Sequence, residues 1–149
     1  VLARAVDGLP CGLYRYDGGA HALEPLEALD AHEALALGRT ATAGQHYFAD
    51  AAMQVVLAAR ADRGFWKYRE HAKAYKVLLL DAGHLGQTGS LLATERGLGA
   101  FFTAAVNDRD LAARLRLPPA AGVVLGIWGC GHAAAGREAR HLQPEPWEP

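Results

Sequence analysis

Several features that mark particular classes of protein are scarce or missing in this chain of 149 residues. Its two cysteines, Cys11 and Cys130, lie far apart and form no C-x-x-C pair, which disfavours a disulfide scaffold and favours a reduced, cytoplasmic protein. No signal peptide is visible, and no apolar run is long enough to cross a bilayer. The formal net charge of −1 offers no basic field for nucleic acid. We therefore expect neither membrane nor nucleic acid as a partner.

The common catalytic motifs are missing as well. There is no H-E-x-x-H and no Cys/His cluster at zinc spacing; Cys130 and His132 form only a weak pair, so no metal site is predicted. The nucleophile-elbow pattern and the P-loop are also lacking. The segment Gly97-Leu98-Gly99 follows a helix rather than a strand, so on spacing alone it predicts a helix end and not a dinucleotide fingerprint.

Apolar residues, by contrast, are plentiful. They make up 51% of the chain, enough for a packed core, and the length predicts one domain. The chain opens on VLARAV without a Met. We interpret it as an excised fragment, a processed product or one part of something larger.

The first sixty residues predict a mixture of strands and helices. Turn residues at Asp17–Gly19 follow the alternating segment LYRYD, as in a hairpin. The predicted elements are a strand at Val1–Val6, a helix at Pro25–Leu37 ended by Gly38, a short helix at about Thr42–Ala51, and a buried strand at MQVVLAAR.

The clearest predicted element is a helix that begins near Arg69 and ends before Gly97. Its apolar residues lie nearly all round, which favours a central position in the fold. Three glycines in its interior, Gly83, Gly86 and Gly89, each cost roughly 1 kcal/mol relative to alanine. Close approach of another helix or of a flat ligand would explain them.

The remaining segments predict two strands, one helix and a tail. AFFTAAV and GVVLGIWG are strand-like, and NDRDLAARLRL is a short helix capped by Asn107 or Asp108. Residues 139–149 form a Pro-rich tail that we expect to be extended, after a domain of residues 1–138.

The pair Lys67-Tyr68 carries the most suggestive chemistry. A desolvated lysine can act as a base, and a neighbouring phenol can donate or accept a proton. Such a pair suits proton abstraction beside a hydride acceptor. The competing interpretation is a solvated lysine and a tyrosine that covers a helix end.

The order of three segments resembles one known family. The segments are GLYRYDGGAHALEPL, then WKYREHAKAYKVLLLDAGHLGQTGSLLATERGLGA, then NDRDLAARLRLP. They are similar to the SagB-type dehydrogenases, the FMN-dependent thiazole/oxazole oxidases of the nitroreductase superfamily. The resemblance covers roughly residues 1–130 and corresponds to the C-terminal portion of the family's domain.

The resemblance implies an α+β fold, with an antiparallel sheet around a central buried helix and the N-terminal part of the usual domain absent. It implies a dimer with FMN at the subunit interface, and oxidation of peptide azolines to azoles during the biosynthesis of modified peptides. Lys67 and Tyr68 take the catalytic positions. The turn formed by Gly97, Leu98, Gly99 and Ala100 matches a segment close to the flavin, and Arg137, with Arg140, is the candidate for the phosphate.

The chain also departs from the family pattern. The Arg-rich, Ser-containing motif that holds the FMN phosphate is missing, and Thr88 stands where Asn is common. Three hypotheses stay open: an azoline-oxidising subunit completed by a complementary chain or by a homo-oligomer, a related dehydrogenase or reductase with another substrate, and a non-catalytic scaffold or peptide-binding subunit.

Overall fold

The structure is a computed structural model that describes residues 1–69, 71–119 and 121–133. The predicted tail and both candidate phosphate ligands, Arg137 and Arg140, lie outside these residues. In chain order the elements are β1 (Leu2–Ala3), β2 (Gly12–Asp17), β3 (Ala22–Ala28), α1 (Ala31–Ala41), α2 (His46–Ala49), β4 (Met53–Arg60), α3 (Ala61–Lys67), α4 (Lys73–Glu95), β5 (Gly99–Thr103), α5 (Asp108–Arg114) and β6 (Gly122–Gly131).

The strands of the described chain form a single antiparallel sheet in the order β3-β2-β1-β4-β6-β5. Helices cover both faces. Phe101 packs against the buried cluster that contains Leu111 of α5, whereas the next residue, Phe102, meets α4 at Gly86. Because consecutive strand residues point to opposite faces, α4 lies on the face opposite α5. The predicted α+β fold with an antiparallel sheet is confirmed.

Several predicted boundaries hold. The segment MQVVLAAR is strand β4 along its whole length, and its partners in β6 run from Cys130 back to Gly122. Asn107 caps α5, since its side chain accepts a hydrogen bond from the backbone N–H of Asp110. Gly97 follows the end of α4 with a φ of 69°, a conformation that glycine adopts without strain.

The helix predicted over Pro25–Leu37 is wrong in its first half. Strand β3 continues to Ala28, and α1 begins only at Ala31, where Asp30 and Glu33 form a capping box. Pro25 is tolerated in β3 because this strand lies at the edge of the sheet. Gly38 lies buried inside α1 rather than at its end; a Cβ there would lie 2.9 Å from the carbonyl oxygen of Ala49.

Three other elements differ in extent from the prediction. The first strand pairs only at Leu2 and Ala3, and the short helix after it, α2, spans His46–Ala49. The long helix begins at Lys73 rather than near Arg69, because a separate helix, α3, precedes it.

The long helix α4 is buried on one side only within this chain. Its buried residues are all small, namely Ala74, Ala82, Gly86 and Ala93. Five leucines of α4 are exposed by 46% to 63%: Leu79, Leu80, Leu85, Leu91 and Leu92. An apolar surface of this kind on one helix is typical of an interaction face. None of the described helices is long and apolar enough to cross a membrane.

Candidate functional site

The pair Lys67-Tyr68 lies at the end of α3. Lys67 is its last residue and Tyr68 its C-cap, whose backbone N–H donates to the carbonyl oxygen of Gly64 at 3.0 Å. The ammonium nitrogen of Lys67 lies 5.4 Å from the centroid of the Tyr68 ring, within cation–π range. Lys67 is exposed and Tyr68 is half-buried. The two groups thus lie beside each other, before the start of α4.

The surface of α3 around Lys67 is basic and aromatic. A shallow cavity of about 550 Å³ is lined by Arg60, Asp62, Arg63, Trp66 and Lys67. Arg60 donates to both carboxylate oxygens of Asp62, at 2.9 and 2.5 Å, and these hydrogen bonds lower the pKa of Asp62. Trp66 is 84% exposed.

The glycine turn lies at the other end of α4. The N–H of Gly97 donates to Thr94 O at 3.0 Å, and that of Leu98 donates to Ala93 O at 2.9 Å. Both groups are therefore engaged in ending the helix. Gly99 and Ala100 continue directly into β5, opposite Gly131 and Cys130. The turn consequently has little capacity left to bind an anion through its first two N–H groups.

A second cavity, of about 630 Å³, opens beside Gly99 and Ala100. Its aromatic wall consists of Tyr47, Phe48 and Phe101, and the rings of Phe48 and Phe101 stack with centroids 4.0 Å apart. Sequence reasoning did not identify this wall. The only signal available is the aromatic content of HYF and AFF, which does not reveal that the two segments meet.

The polar groups around this second cavity offer little to an anion, since Asp50 adds an exposed carboxylate to its lining. The Arg4 guanidinium donates to the carbonyl oxygens of Asp50 and Ala51. Cys130 is buried in the cavity wall, and burial raises the pKa of its thiol. The cavity therefore suits an apolar or aromatic group better than an anion.

The two predicted parts of the site do not meet within one chain. Lys67 and Tyr68 precede α4, whereas Gly97 follows it. Helix α4 has 23 residues, so at 1.5 Å per residue its ends are about 34 Å apart. A site that uses both parts has to combine residues from two chains.

The glycines of α4 have a different explanation from the one expected. A Cβ at Gly86 would lie 2.5 Å from Cδ2 of Phe102, and one at Gly89 would lie 2.8 Å from Cε2 of Trp128. These two glycines admit aromatic side chains of the sheet, not a flavin or a second helix. Gly83 is exposed, with nothing within 4 Å of its Cβ position.

FMN, the cofactor implied by the resemblance, fits the described residues only in part. The cavity beside Ala100 has the aromatic and backbone surface that a flavin ring requires. A phosphate needs fixed positive charge and free N–H groups, and Gly97 and Leu98 offer neither. Within residues 1–69, 71–119 and 121–133, no three His, Cys, Asp or Glu side chains gather as a metal site.

Comparison with solved structures gives the same fold. A nitroreductase-like protein from Anabaena variabilis superposes with a TM-score of 0.77 at 25% identity, over 89% of this chain and 26% of that one. One from Ralstonia eutropha gives 0.66 at 26% identity, over 83% and 54%. The E. coli microcin synthetase McbBCD complex with truncated pro-MccB17 bound gives 0.69 at 22% identity, over 81% and 44%.

The chain thus spans between about a quarter and about half of the length of these solved chains. A search of curated proteins found no match. The sequence model of the Nitroreductase family, however, matches residues 12–132, a stretch that contains every strand but the first and all the helices described above. With this match over most of its length, and with the same fold in solved structures, the chain belongs to the nitroreductase family.

Proposed function

We propose that this chain is a subunit of a SagB-type, FMN-dependent oxidoreductase that converts peptide azolines to azoles. Nitroreductase-family proteins are typically flavin-dependent oxidoreductases, which supports a redox reaction. The observation that carries the proposal is the position of Lys67, whose ammonium nitrogen lies 5.4 Å from the Tyr68 ring at an accessible helix end.

The reaction removes a hydride from one carbon of the azoline ring and a proton from the next. FMN, when bound, supplies the hydride acceptor. Lys67 in its neutral form takes the proton, and the Tyr68 phenol orients the amine and donates or accepts a hydrogen bond. A lysine becomes a base when it is shielded from water. Because Lys67 is exposed in the single chain, the proposal requires a partner or the substrate to cover it.

The assembly that we propose explains this requirement. A complementary chain that carries the phosphate motif, or a second copy of this chain, packs on the exposed leucines of α4. This second chain brings its own glycine turn, or an equivalent segment, close to Lys67. It is needed because the glycine turn of the same chain lies at the far end of α4, about 34 Å away. The E. coli neighbour supports a complex and a peptide substrate, since that structure is the McbBCD complex with truncated pro-MccB17 bound.

The proposal also includes the contacts to FMN, the bounds of the domain and the location of the protein in the cell. Gly97, Leu98, Gly99 and Ala100 contact the flavin ring, and Arg137, together with the partner, neutralises the phosphate. The nitroreductase unit extends to residue 138 and is followed by a separate tail of residues 139–149. We place the protein in the cytoplasm, where its two thiols stay reduced.

Flavin reduction tests the proposal. The protein, purified with its partner, should be yellow, with the absorbance near 450 nm of oxidised flavin. Lys67→Ala and Tyr68→Phe should each slow substrate-dependent flavin reduction in stopped flow by about 10²–10⁴-fold and leave bound flavin unchanged. Lys76→Ala, an exposed lysine on α4, is the matched control and should keep the wild-type rate. Rates within a few-fold of wild type for both Lys67 and Tyr68 variants would leave the pair as a helix end.

A second candidate is a reductase of nitro compounds or quinones, or a dehydrogenase of other peptide groups. Two of the three structural neighbours, from Anabaena variabilis and Ralstonia eutropha, are nitroreductase-like and favour this candidate. This candidate is favoured if the protein reduces a nitroaromatic compound and an azoline peptide does not reduce the flavin. Absence of flavin from every purified form would select a non-catalytic scaffold.

A further inference from the structure

Beside Lys67, the cavity on α3 contains Arg63 and Trp66, two groups that the proposed chemistry does not use. Trp66 is 84% exposed, more than any of the other large apolar side chains exposed in the described chain. It lies between Arg63 and Lys67, which both line the same cavity. Exposed tryptophan beside arginine is the composition typical of binding hot spots.

The charges in this cavity are unbalanced. Three cations and one carboxylate line it, and the carboxylate of Asp62 is already held by Arg60. Within the described residues, Arg63 and Lys67 make no ion pair. Elsewhere, Arg15 pairs with Glu24 and Arg114 pairs with Glu27 across elements. Among the described residues, the cavity therefore retains two positive charges without an ion pair.

The spacing of these two cations adds a second argument. Arg63 and Lys67 are four residues apart on α3, so they lie on the same side of the helix one turn apart. Like charges at this spacing repel and destabilise a helix. A bound anion removes that repulsion, and an apolar side chain beside the anion covers the exposed Trp66 ring.

We propose that the surface of Arg63, Trp66 and Lys67, the α3 surface, binds an acidic and apolar segment of the peptide substrate. That the peptide is the substrate rests on the function proposed above. The binding itself rests on the charges and on Trp66. The segment places its carboxylates against Arg63 and its apolar side chains against Trp66, which lie beside Lys67.

Two other anions fit the surface less well. Nucleic acid binding requires many phosphate contacts, whereas the described lining of this cavity contains only two cations without an ion pair. The FMN phosphate is a compact dianion that needs no exposed tryptophan, whereas a peptide supplies both a charged and an apolar group. Both anions serve as competitors in the test.

Fluorescence anisotropy tests the proposal without flavin or turnover. The probe is a labelled peptide that combines Glu with Leu, and its counterpart carries Lys for each Glu. The Glu peptide should bind the 149-residue chain, and Trp66→Ala and Arg63→Glu should each weaken binding about ten-fold or more. Arg39→Glu, an exposed charge reversal on α1, should change affinity little. Affinity should fall with added salt for the wild type and less steeply for Arg63→Glu.

The proposal is overturned by equal binding of the Lys peptide, by no binding, or by unchanged affinity in both variants. Displacement of the probe by an oligonucleotide or by free FMN at low excess would assign the surface to phosphate instead. Because the readout is binding, a protein that binds the Glu peptide but shows no flavin reduction would contradict the proposed function and leave this proposal intact.

Discussion

Replacing Gly86 by alanine should destabilise the protein, although alanine is the better helix former. A Cβ at this position would lie 2.5 Å from Cδ2 and 3.3 Å from Cγ of Phe102. The backbone of β5 fixes Cβ of Phe102, so the ring can move only by changing its rotamer. The far end of the ring packs on Gly126 of β6, whose own Cβ would lie 2.8 Å from Cζ. The ring thus lies between α4 and the sheet, and because Phe102 is 39% exposed it can relieve the contact only by turning outward and losing its packing on Gly126.

The magnitude follows from two opposing effects. Alanine in place of glycine in a helix interior gains about 1 kcal/mol. Overpacking a filled contact costs about 1–3 kcal/mol. The net loss for Gly86→Ala is therefore about 1 kcal/mol, which lowers the Tm of a chain of this size by about 2–4 °C.

Gly83→Ala provides the matched control on the same helix. Nothing lies within 4 Å of its Cβ position, and the residue is exposed. The helix gain is then uncompensated, so Tm should rise by about 2–4 °C. Scanning calorimetry at a concentration where both variants show the same assembly state measures both shifts. Equal shifts of the two variants in the same direction would refute the argument from Phe102.

Four further predictions follow from the charges, thiols and exposed faces. Light scattering should show the purified chain as an oligomer or a complex with another chain, because its exposed leucines invite association; a stable 15.8 kDa monomer would contradict this. Stoichiometric FMN should require the complementary chain or second copy, and tight binding to isolated monomer, measured at 450 nm, would show that the phosphate site is misplaced. Half-buried Cys11 should react with a thiol reagent before Cys130, which is buried and whose raised pKa keeps its thiol protonated. Because the Cys130 thiol ionises more readily in the unfolded chain than in the folded one, the free energy of unfolding should fall as pH rises through the ordinary thiol range. Arg114→Ala should cost at most about 1 kcal/mol in chemical denaturation, and less at high salt, because its ion pair with Glu27 is exposed.

The sequence predicts those elements whose local signals agree with their tertiary setting. Strand β4 is a continuous apolar run in the middle of the sheet, so its pattern and its position give the same answer. The hairpin of β2 and β3 is marked by its turn residues, and Asn107 caps α5 by its own side chain.

The errors occur where a tertiary contact overrides the local pattern. Leu26, Leu29 and Leu37 follow a helical spacing, yet Leu26 lies in an edge strand because β2 offers a free edge there. Helix α3 contains Gly64, is only seven residues long and has no side-chain cap, so nothing local indicates it. For the site, the adjacency of Lys67 and Tyr68 is visible in the sequence. The aromatic wall of Phe48 and Phe101 is not, since 53 residues separate its two rings in the chain.

The length of α4 has a genetic consequence if the active form contains two copies of this chain. In the site proposed above, Lys67 would then come from one copy and the glycine turn from the other. A strain that carries only Lys67→Ala, or only a bulky substitution at Gly97, would be inactive. Co-expression of the two defective chains would produce mixed pairs with two sites each. One site would contain both substitutions, and the other would contain neither and would be intact. Random pairing would return about a quarter of the wild-type activity, whereas a site contained within one chain would return none.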